Sequence, residues 1–185
     1  TLTDSSAASD VYKRQGLTLI ESLAVIGLAA LVIAGALILF GNAQDSRRVT
    51  AETTNISNVL KRMEEVFAED DLEGGDVRNP EDFITAGVFN DSMKIVGTRI
   101  FHSWNNEVQI TVTGPASYDL TYLQIPADEP CIDLVRSTRK VGFDEISING
   151  TVEDITGLSV SEIITRCSEA SVGANYVDVI WSMTN

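Results

Sequence analysis

The chain has 185 residues, is 44% hydrophobic and carries a formal net charge of −14, which fits one small domain beside a long apolar helix. Almost all of the negative charge lies after residue 44, and an acidic domain binds nucleic-acid phosphates poorly because that binding requires Lys and Arg. The single histidine, His102, is expected at the surface or at a sheet edge. With no nucleotide-binding or metal-ligand spacing, the sequence predicts neither an enzyme nor a cofactor or metal site.

Residues 1–16 form a polar leader that lacks the apolar region of an ordinary secretory signal. The sequence does not begin with methionine, so residues 1–12 are expected to be either a fragment boundary or foreign sequence. Lys13 and Arg14 are expected to hold the leader on the cytoplasmic side of a membrane.

Residues 17–44 follow as an apolar segment, and residues 22–44 contain no charged side chain. This length is enough to cross a bilayer as a helix. The one carboxylate, Glu21, stands at the start of the segment, where an ionisable group is costly and therefore requires a partner. A cut after Gly16 would supply one, because it leaves a free amine on Leu17.

The run from Gly16 to Glu21, Gly-Leu-Thr-Leu-Ile-Glu, together with the apolar residues behind it, resembles the cleavage signature of type IV prepilins. Leu17, where phenylalanine is common, resembles the type IVb branch, which includes toxin-coregulated and conjugative thin pilins. The resemblance implies that a dedicated membrane peptidase cuts after Gly16 and methylates the new amino terminus of Leu17. It also implies that Glu21 pairs with the Leu17 amine of a neighbouring subunit, since an unpaired carboxylate among packed apolar helices would cost several kcal/mol.

The same resemblance implies partners and a location. Subunits would be stored in the inner membrane and then polymerise, through an assembly machinery, into a surface fibre of a Gram-negative cell for adhesion, aggregation or conjugation. Head-to-tail contacts that do not close produce such a helical homopolymer. Three alternatives stay open: a plain signal-anchor helix with an incidental Glu21, a pseudopilin of a secretion system, and a membrane-anchored binding domain that never polymerises.

Small side chains share one face of the apolar segment, and small residues let helices approach closely. The members of this face are Gly27, Ala30, Ala34 and Gly41.

Helical periodicity continues beyond the apolar segment as a stripe of six residues: Val49, Thr53, Ile56, Leu60, Met63 and Phe67. We therefore predict one helix over residues 17–67, apolar on all sides in its first half and amphipathic in its second. The acidic stretch 69–76 is predicted to be a solvated loop, since its spacing does not match an EF-hand calcium site.

Beyond this loop, alternating apolar residues and turn signals predict an antiparallel sheet with short helices. The predicted elements are a short helix opening at 80–84, a strand within 94–101, a hairpin of 108–112 with 118–125, a helix beginning at Pro130 with Gly142 just past its end, a strand at 146–148 followed by a turn at 149–150, a helix at 159–168 and a strand at 176–183. Trp104 and Trp181 are expected to be core aromatics.

The predicted fold class is α+β, and its layout resembles the lollipop of type IVb pilins, a long helix packed on an antiparallel head. The expected division is a cleaved leader, 1–16, an apolar filament-core helix, 17–44, and a globular head, 45–185. In an extracytoplasmic head, Cys131 and Cys167 are expected to form a disulfide, and two free buried thiols are the alternative.

A small basic cluster of Arg136, Arg139 and Lys140 stands out in the acidic head. It is predicted to be a solvated helix face. The alternative is a specific contact between this cluster and an acidic patch on the next subunit, such as the loop at 69–76.

Overall fold

The computed structural model describes residues 6–69, 80–114, 117–168 and 175–184. The chain divides into two compact units, Thr1–Gln44 and Asp45–Asn185, and we refer to the second as the head. The helices and strands are α1 (Ser6–Glu69), α2 (Pro80–Thr85), β1 (Lys94–Val96), β2 (Arg99–Phe101), β3 (Glu107–Gly114), β4 (Ser117–Pro126), α3 (Glu129–Thr138), β5 (Glu145–Ile148), β6 (Thr151–Asp154), α4 (Val160–Ser168) and β7 (Tyr176–Met183). The predicted acidic loop at 69–76 lies, from residue 70 onward, outside the described residues.

The long helix is present, and it begins earlier than predicted, at Ser6 rather than near residue 17. Residues 6–15 contain neither proline nor glycine, so nothing in the local sequence breaks the helix before Gly16. The helical backbone continues without interruption through Gly35 and Gly41.

Within the head, the amphipathic part of α1 buries the predicted stripe. Val49, Ile56, Leu60 and Met63 are buried, and Thr53 is half-buried. The sixth member, Phe67, lies outside the described side chains. The stripe joins the hydrophobic core of the head, so tertiary packing rather than propensity stabilises this part of the helix.

The sheet has seven antiparallel strands in the order β1-β2-β3-β4-β7-β5-β6. The inner strand β7 contributes the fully buried Trp181, which lies opposite Leu120 on one side and Ile146 on the other. Alternate residues of β4, beginning with Tyr118, are buried on the same face. The predicted hairpin of β3 with β4 and the predicted strands at β5 and β7 are confirmed.

Three further details, all in the head, differ from the sequence prediction. The segment 94–101 holds two short strands, β1 and β2, because Gly97 adopts a positive φ of 63° and turns the chain. β6 was not predicted, since its one apolar residue, Val152, is 61% exposed and gives no core signal. Helix α3 ends at Thr138, and Gly142 is not its cap but lies in the connection to β5.

Gly142 brings this connection close to α1. Its φ is 129°, and a Cβ built there would lie 3.2 Å from Cδ2 of Leu60. Few residues other than glycine accept this backbone conformation. Farther along, Asn149 and Gly150 have φ values of 50° and 80°, as a two-residue hairpin turn of the predicted kind requires.

Candidate assembly segment and the buried carboxylate of the head

The apolar part of α1 exposes its side chains. All large hydrophobic residues from Leu19 to Phe40 are 59–72% exposed. Among the described residues, α1 is the one helix long and apolar enough to cross a membrane by length and composition. An apolar surface of this extent marks a segment that enters a membrane or binds a partner.

Glu21 and the predicted small face lie on different sides of this segment. At about 100° per residue, Gly27, Ala30, Ala34 and Gly41 fall within an arc of about 60°, and Glu21 lies about 120–180° from it. Glu21 is exposed, and a Cβ added at Gly27 or Gly41 would meet no atom within 4 Å. The carboxylate and the small face are therefore available to different neighbours.

Gly16 and Leu17, the predicted cleavage pair, lie within the helical backbone of α1. The cut after Gly16 and methylation of Leu17 stay predictions at this point.

In the head, one carboxylate is buried among the described residues. Glu52 on α1 is 1% exposed, and none of the described ion pairs involves it. Its Oε1 accepts the backbone N–H of Ser103 at 2.7 Å and also the Ser103 hydroxyl. Its Oε2 accepts the hydroxyl of Tyr122 at 3.1 Å and the amide of Asn55 at 3.2 Å. Four neutral donors thus satisfy the acceptor-only oxygens of a carboxylate.

Asn55 extends this network to the segment before β1. Its Oδ1 accepts the side-chain amide of Asn90 at 2.9 Å and the hydroxyl of Ser92 at 2.7 Å. Through these bonds one face of α1 is tied to both the sheet and the 90–92 segment. Buried networks of this kind rigidify a core when every member is satisfied.

His102 is buried rather than exposed, so the predicted surface position is wrong. Its side chain is 2% exposed and stacks on Tyr122 with ring centroids 5.3 Å apart and planes 4° apart. Nε2 lies 2.8 Å from the carbonyl oxygen of Leu123, and Nδ1 accepts the backbone N–H of Trp104 at 3.2 Å. These contacts require the neutral ring with its proton on Nε2.

Burial lowers the pKa of His102 from its ordinary value, although the Leu123 carbonyl and the charge of Glu52 both act to raise it. The ring is therefore held neutral by the fold. The Leu123 carbonyl, the Trp104 N–H and the rings of Trp104 and Tyr122 hold the imidazole in place.

The two cysteines are joined, as predicted. Cys131 on α3 and Cys167 on α4 form a disulfide with their Cα atoms 5.7 Å apart, and both are fully buried. The covalent bond fixes the two helices of the carboxy-terminal region to each other. Of the two tryptophans, Trp181 is fully buried and Trp104 is half-buried against the core, which agrees with the expected core positions.

Two members of the basic cluster make polar contacts within the described part of the chain. Arg136 lies 3.9 Å from Asp133, and Arg139 donates to the carbonyl oxygen of Thr156 at 3.4 Å. Lys140 is exposed. Contact with the acidic 69–76 stretch of another subunit is untested, since that stretch falls mostly outside the described residues. Within the described residues, no group of three or more His, Cys, Asp or Glu side chains could hold a metal ion.

Glu52 is the buried charged residue that the sequence did not predict. It lies three residues after Val49 and four before Ile56, which is the spacing of core positions on a helix. A carboxylate at a core-facing position of an amphipathic stripe was the available signal.

An exposed apolar helix that continues into an amphipathic helix on an antiparallel sheet, with a disulfide-bonded carboxy-terminal region, defines a pilin of the type IVb-like class. The family model described as PilS N terminal matches residues 46–183. The chain therefore belongs to the PilS N-terminal family.

One solved structure has the same fold. The crystal structure of a type IV b pilin from Salmonella typhi aligns with a TM-score of 0.61 at 14% sequence identity, covering 74% of this chain and 99% of that one. Among curated protein sequences, none matches this chain significantly. The family and the fold are those of structural proteins, so the chain is a structural protein and not an enzyme.

Proposed function

We propose that this chain is the subunit of a type IVb-like pilus and polymerises through its apolar helix into a surface fibre. The match of the PilS N-terminal family model to residues 46–183 carries this proposal. The exposed apolar part of α1 supports it, because a fully exposed apolar helix needs lipid or like helices around it.

The mature subunit would begin at Leu17. A peptidase in the membrane removes the leader, 1–16, and methylates the new amine, which leaves residues 17–44 as the filament-core helix and 45–185 as the head. Before assembly the subunit resides in the inner membrane, where the apolar segment spans the bilayer. The assembly machinery then draws it into the extracellular fibre, which serves adhesion, aggregation or conjugation.

Glu21 would set the axial step between subunits. In the fibre core its carboxylate loses water, and the Leu17 amine of a neighbouring subunit is the cation available at that depth. Pairing of the two groups offsets a desolvation cost of several kcal/mol, and only one stagger brings them together. The small face, Gly27 with Ala30, Ala34 and Gly41, allows a second neighbour to pack closely on another side of the helix.

The test is the variant Glu21→Gln, which keeps the shape of the side chain and removes its charge. We expect a processed protein of mature size in the membrane fraction and no fibres by electron microscopy. Glu65→Gln is the matched control on the same helix, because Glu65 is exposed and pairs with Arg62; it should make normal fibres. Fibres of normal length from Glu21→Gln would contradict the register role.

The cut site has its own test. Gly16→Leu should leave an uncleaved precursor, whereas Gly41→Ala, a control glycine with open space around its Cβ position, should be processed normally. Amino-terminal analysis of the wild-type fibre should show a methylated Leu17. A mature protein that starts elsewhere would refute the proposed cleavage.

A further inference from the structure

His102 occupies a position between the sheet and the amphipathic part of α1. Its ring stacks on Tyr122, whose hydroxyl is in turn one of the four donors that hold the Glu52 carboxylate. Ser103, the next residue in the chain, supplies two more of those donors. Any displacement of His102 is therefore passed directly to the groups that fix α1 to the sheet.

The surroundings of His102 accommodate only one proton on the ring. Nε2–H donates to the Leu123 carbonyl, and Nδ1 faces the N–H of Trp104. A second proton, on Nδ1, would bring two donors together at a site that is 2% exposed, where no water can take the place of the lost acceptor.

We infer that His102 is an acid-sensitive latch: protonation at Nδ1 breaks its contact with Trp104, displaces the ring from Tyr122 and loosens the hold of the sheet on α1 through Glu52. The latch releases the helix in mild acid and holds it at neutral pH. This inference concerns the subunit itself and does not depend on polymerisation.

Glu52 is the charged group that acts on His102, and its influence is smaller than that of burial. From α1, Glu52 favours the protonated ring, and from β4, Tyr122 presents a neutral ring. The charged side chains of the adjoining strands have partners of their own. Arg99 on β2 and Glu107 on β3 bind each other at 2.8 Å, and Asp178 on β7 accepts the N–H of Gln124 at 2.7 Å.

Burial is the largest influence on the ring and lowers the pKa of His102 below the ordinary value of 6.5. The pKa of His102 is lower in the folded chain than in the unfolded chain. The contribution of the neutral ring to the stability of the fold is therefore complete above about pH 6.5 and is lost as the pH falls below that value.

The test uses the full chain in detergent micelles. His102 is the only histidine of the chain, so one imidazole signal in the NMR spectrum reports its titration without ambiguity. We expect a midpoint below 6.5. Amide exchange, corrected for the intrinsic effect of pH, should be faster at pH 5.5 than at pH 7.5 in residues 49–63, by at most about tenfold, because pH 5.5 lies one pH unit below the ordinary histidine pKa of 6.5. Exchange in β7 should change little.

The control variant is His102→Asn, whose Oδ1 can still accept the Trp104 N–H but which does not titrate. Its exchange in residues 49–63 should be the same at both pH values. Three results would overturn the inference: a wild-type titration midpoint at or above 6.5, equal exchange at the two pH values, or acceleration of β7 as large as that of α1. The wild-type measurements decide the matter even if the variant fails to fold.

Discussion

Trp181 on β7 donates its indole N–H to Oγ1 of Thr138 at 3.0 Å, and both side chains are fully buried. Thr138 is the last residue of α3, and its hydroxyl in turn donates to the carbonyl oxygen of Leu134 at 2.9 Å. One hydroxyl thus links the end of a helix to an inner strand of the sheet. A buried indole N–H has no alternative partner when this acceptor is removed.

Thr138→Val should therefore destabilise the head. The substitution keeps the shape of the side chain and leaves the N–H of Trp181 without an acceptor, which costs about 1–3 kcal/mol. Urea unfolding of the full chain in micelles, followed by tryptophan fluorescence, measures the change. Thr138→Ser, which retains the hydroxyl and removes only the methyl group, should lose less; a Thr138→Val variant as stable as the wild type would contradict the role of the hydrogen bond.

Glu52→Gln should also lower the free energy of unfolding, by about 1–3 kcal/mol. Its amide nitrogen would face the donors of Ser103 or of Tyr122 and Asn55, where the carboxylate accepts hydrogen bonds. Glu65→Gln removes a carboxylate that is half-exposed and paired with Arg62, and surface pairs of this kind contribute about 0–1 kcal/mol. Equal losses in the free energy of unfolding would show that the buried network adds no more stability than the surface ion pair.

The disulfide should be a larger contributor. Cys131 and Cys167 are 36 residues apart, and closing a loop of this length is worth about 4 kcal/mol in the chain-entropy model. The double variant Cys131→Ser with Cys167→Ser should unfold at markedly lower urea concentration than the oxidised wild type. Wild-type protein that has been reduced should behave like the double variant, and an unchanged midpoint in both would contradict the entropic role.

Gly142→Ala should cost about 1–3 kcal/mol, because alanine is strained at a φ of 129° and its Cβ would lie 3.2 Å from Leu60. Gly157→Ala is the matched control: Gly157 has an ordinary φ, and its added Cβ would meet its nearest atom at 3.8 Å. Thermal unfolding followed by circular dichroism distinguishes the two. A control as destabilised as Gly142→Ala would count against backbone strain as the cause.

Much of the fold could be predicted from local patterns. The β7 strand was found with its observed bounds because its alternating residues, from Val177 to Trp181, are buried on one face and exposed or half-buried on the other. The stripe from Val49 to Met63 was found for the analogous reason on a helix. β6 was missed because edge strands bury little and so carry little of this signal.

The candidate sites also differ in whether a local sequence pattern predicts them. The assembly residues Gly16, Leu17 and Glu21 follow one another in the chain, so a local motif could indicate them. The environment of His102 depends instead on Glu52 and Leu123, which are far from it in sequence and meet it only after folding. No local pattern could have shown that this histidine is buried.

The position of β7 has a consequence for biogenesis. Residues 176–183 fill the space between β4 and β5, so until they arrive the sheet exists only as two separate pieces, β1–β4 and β5–β6. A nascent chain that has emerged from the ribosome only as far as α4 cannot yet possess a closed core. Chaperones and proteases would therefore meet this protein as an intermediate with exposed apolar surface until β7 has been made and has paired with both β4 and β5.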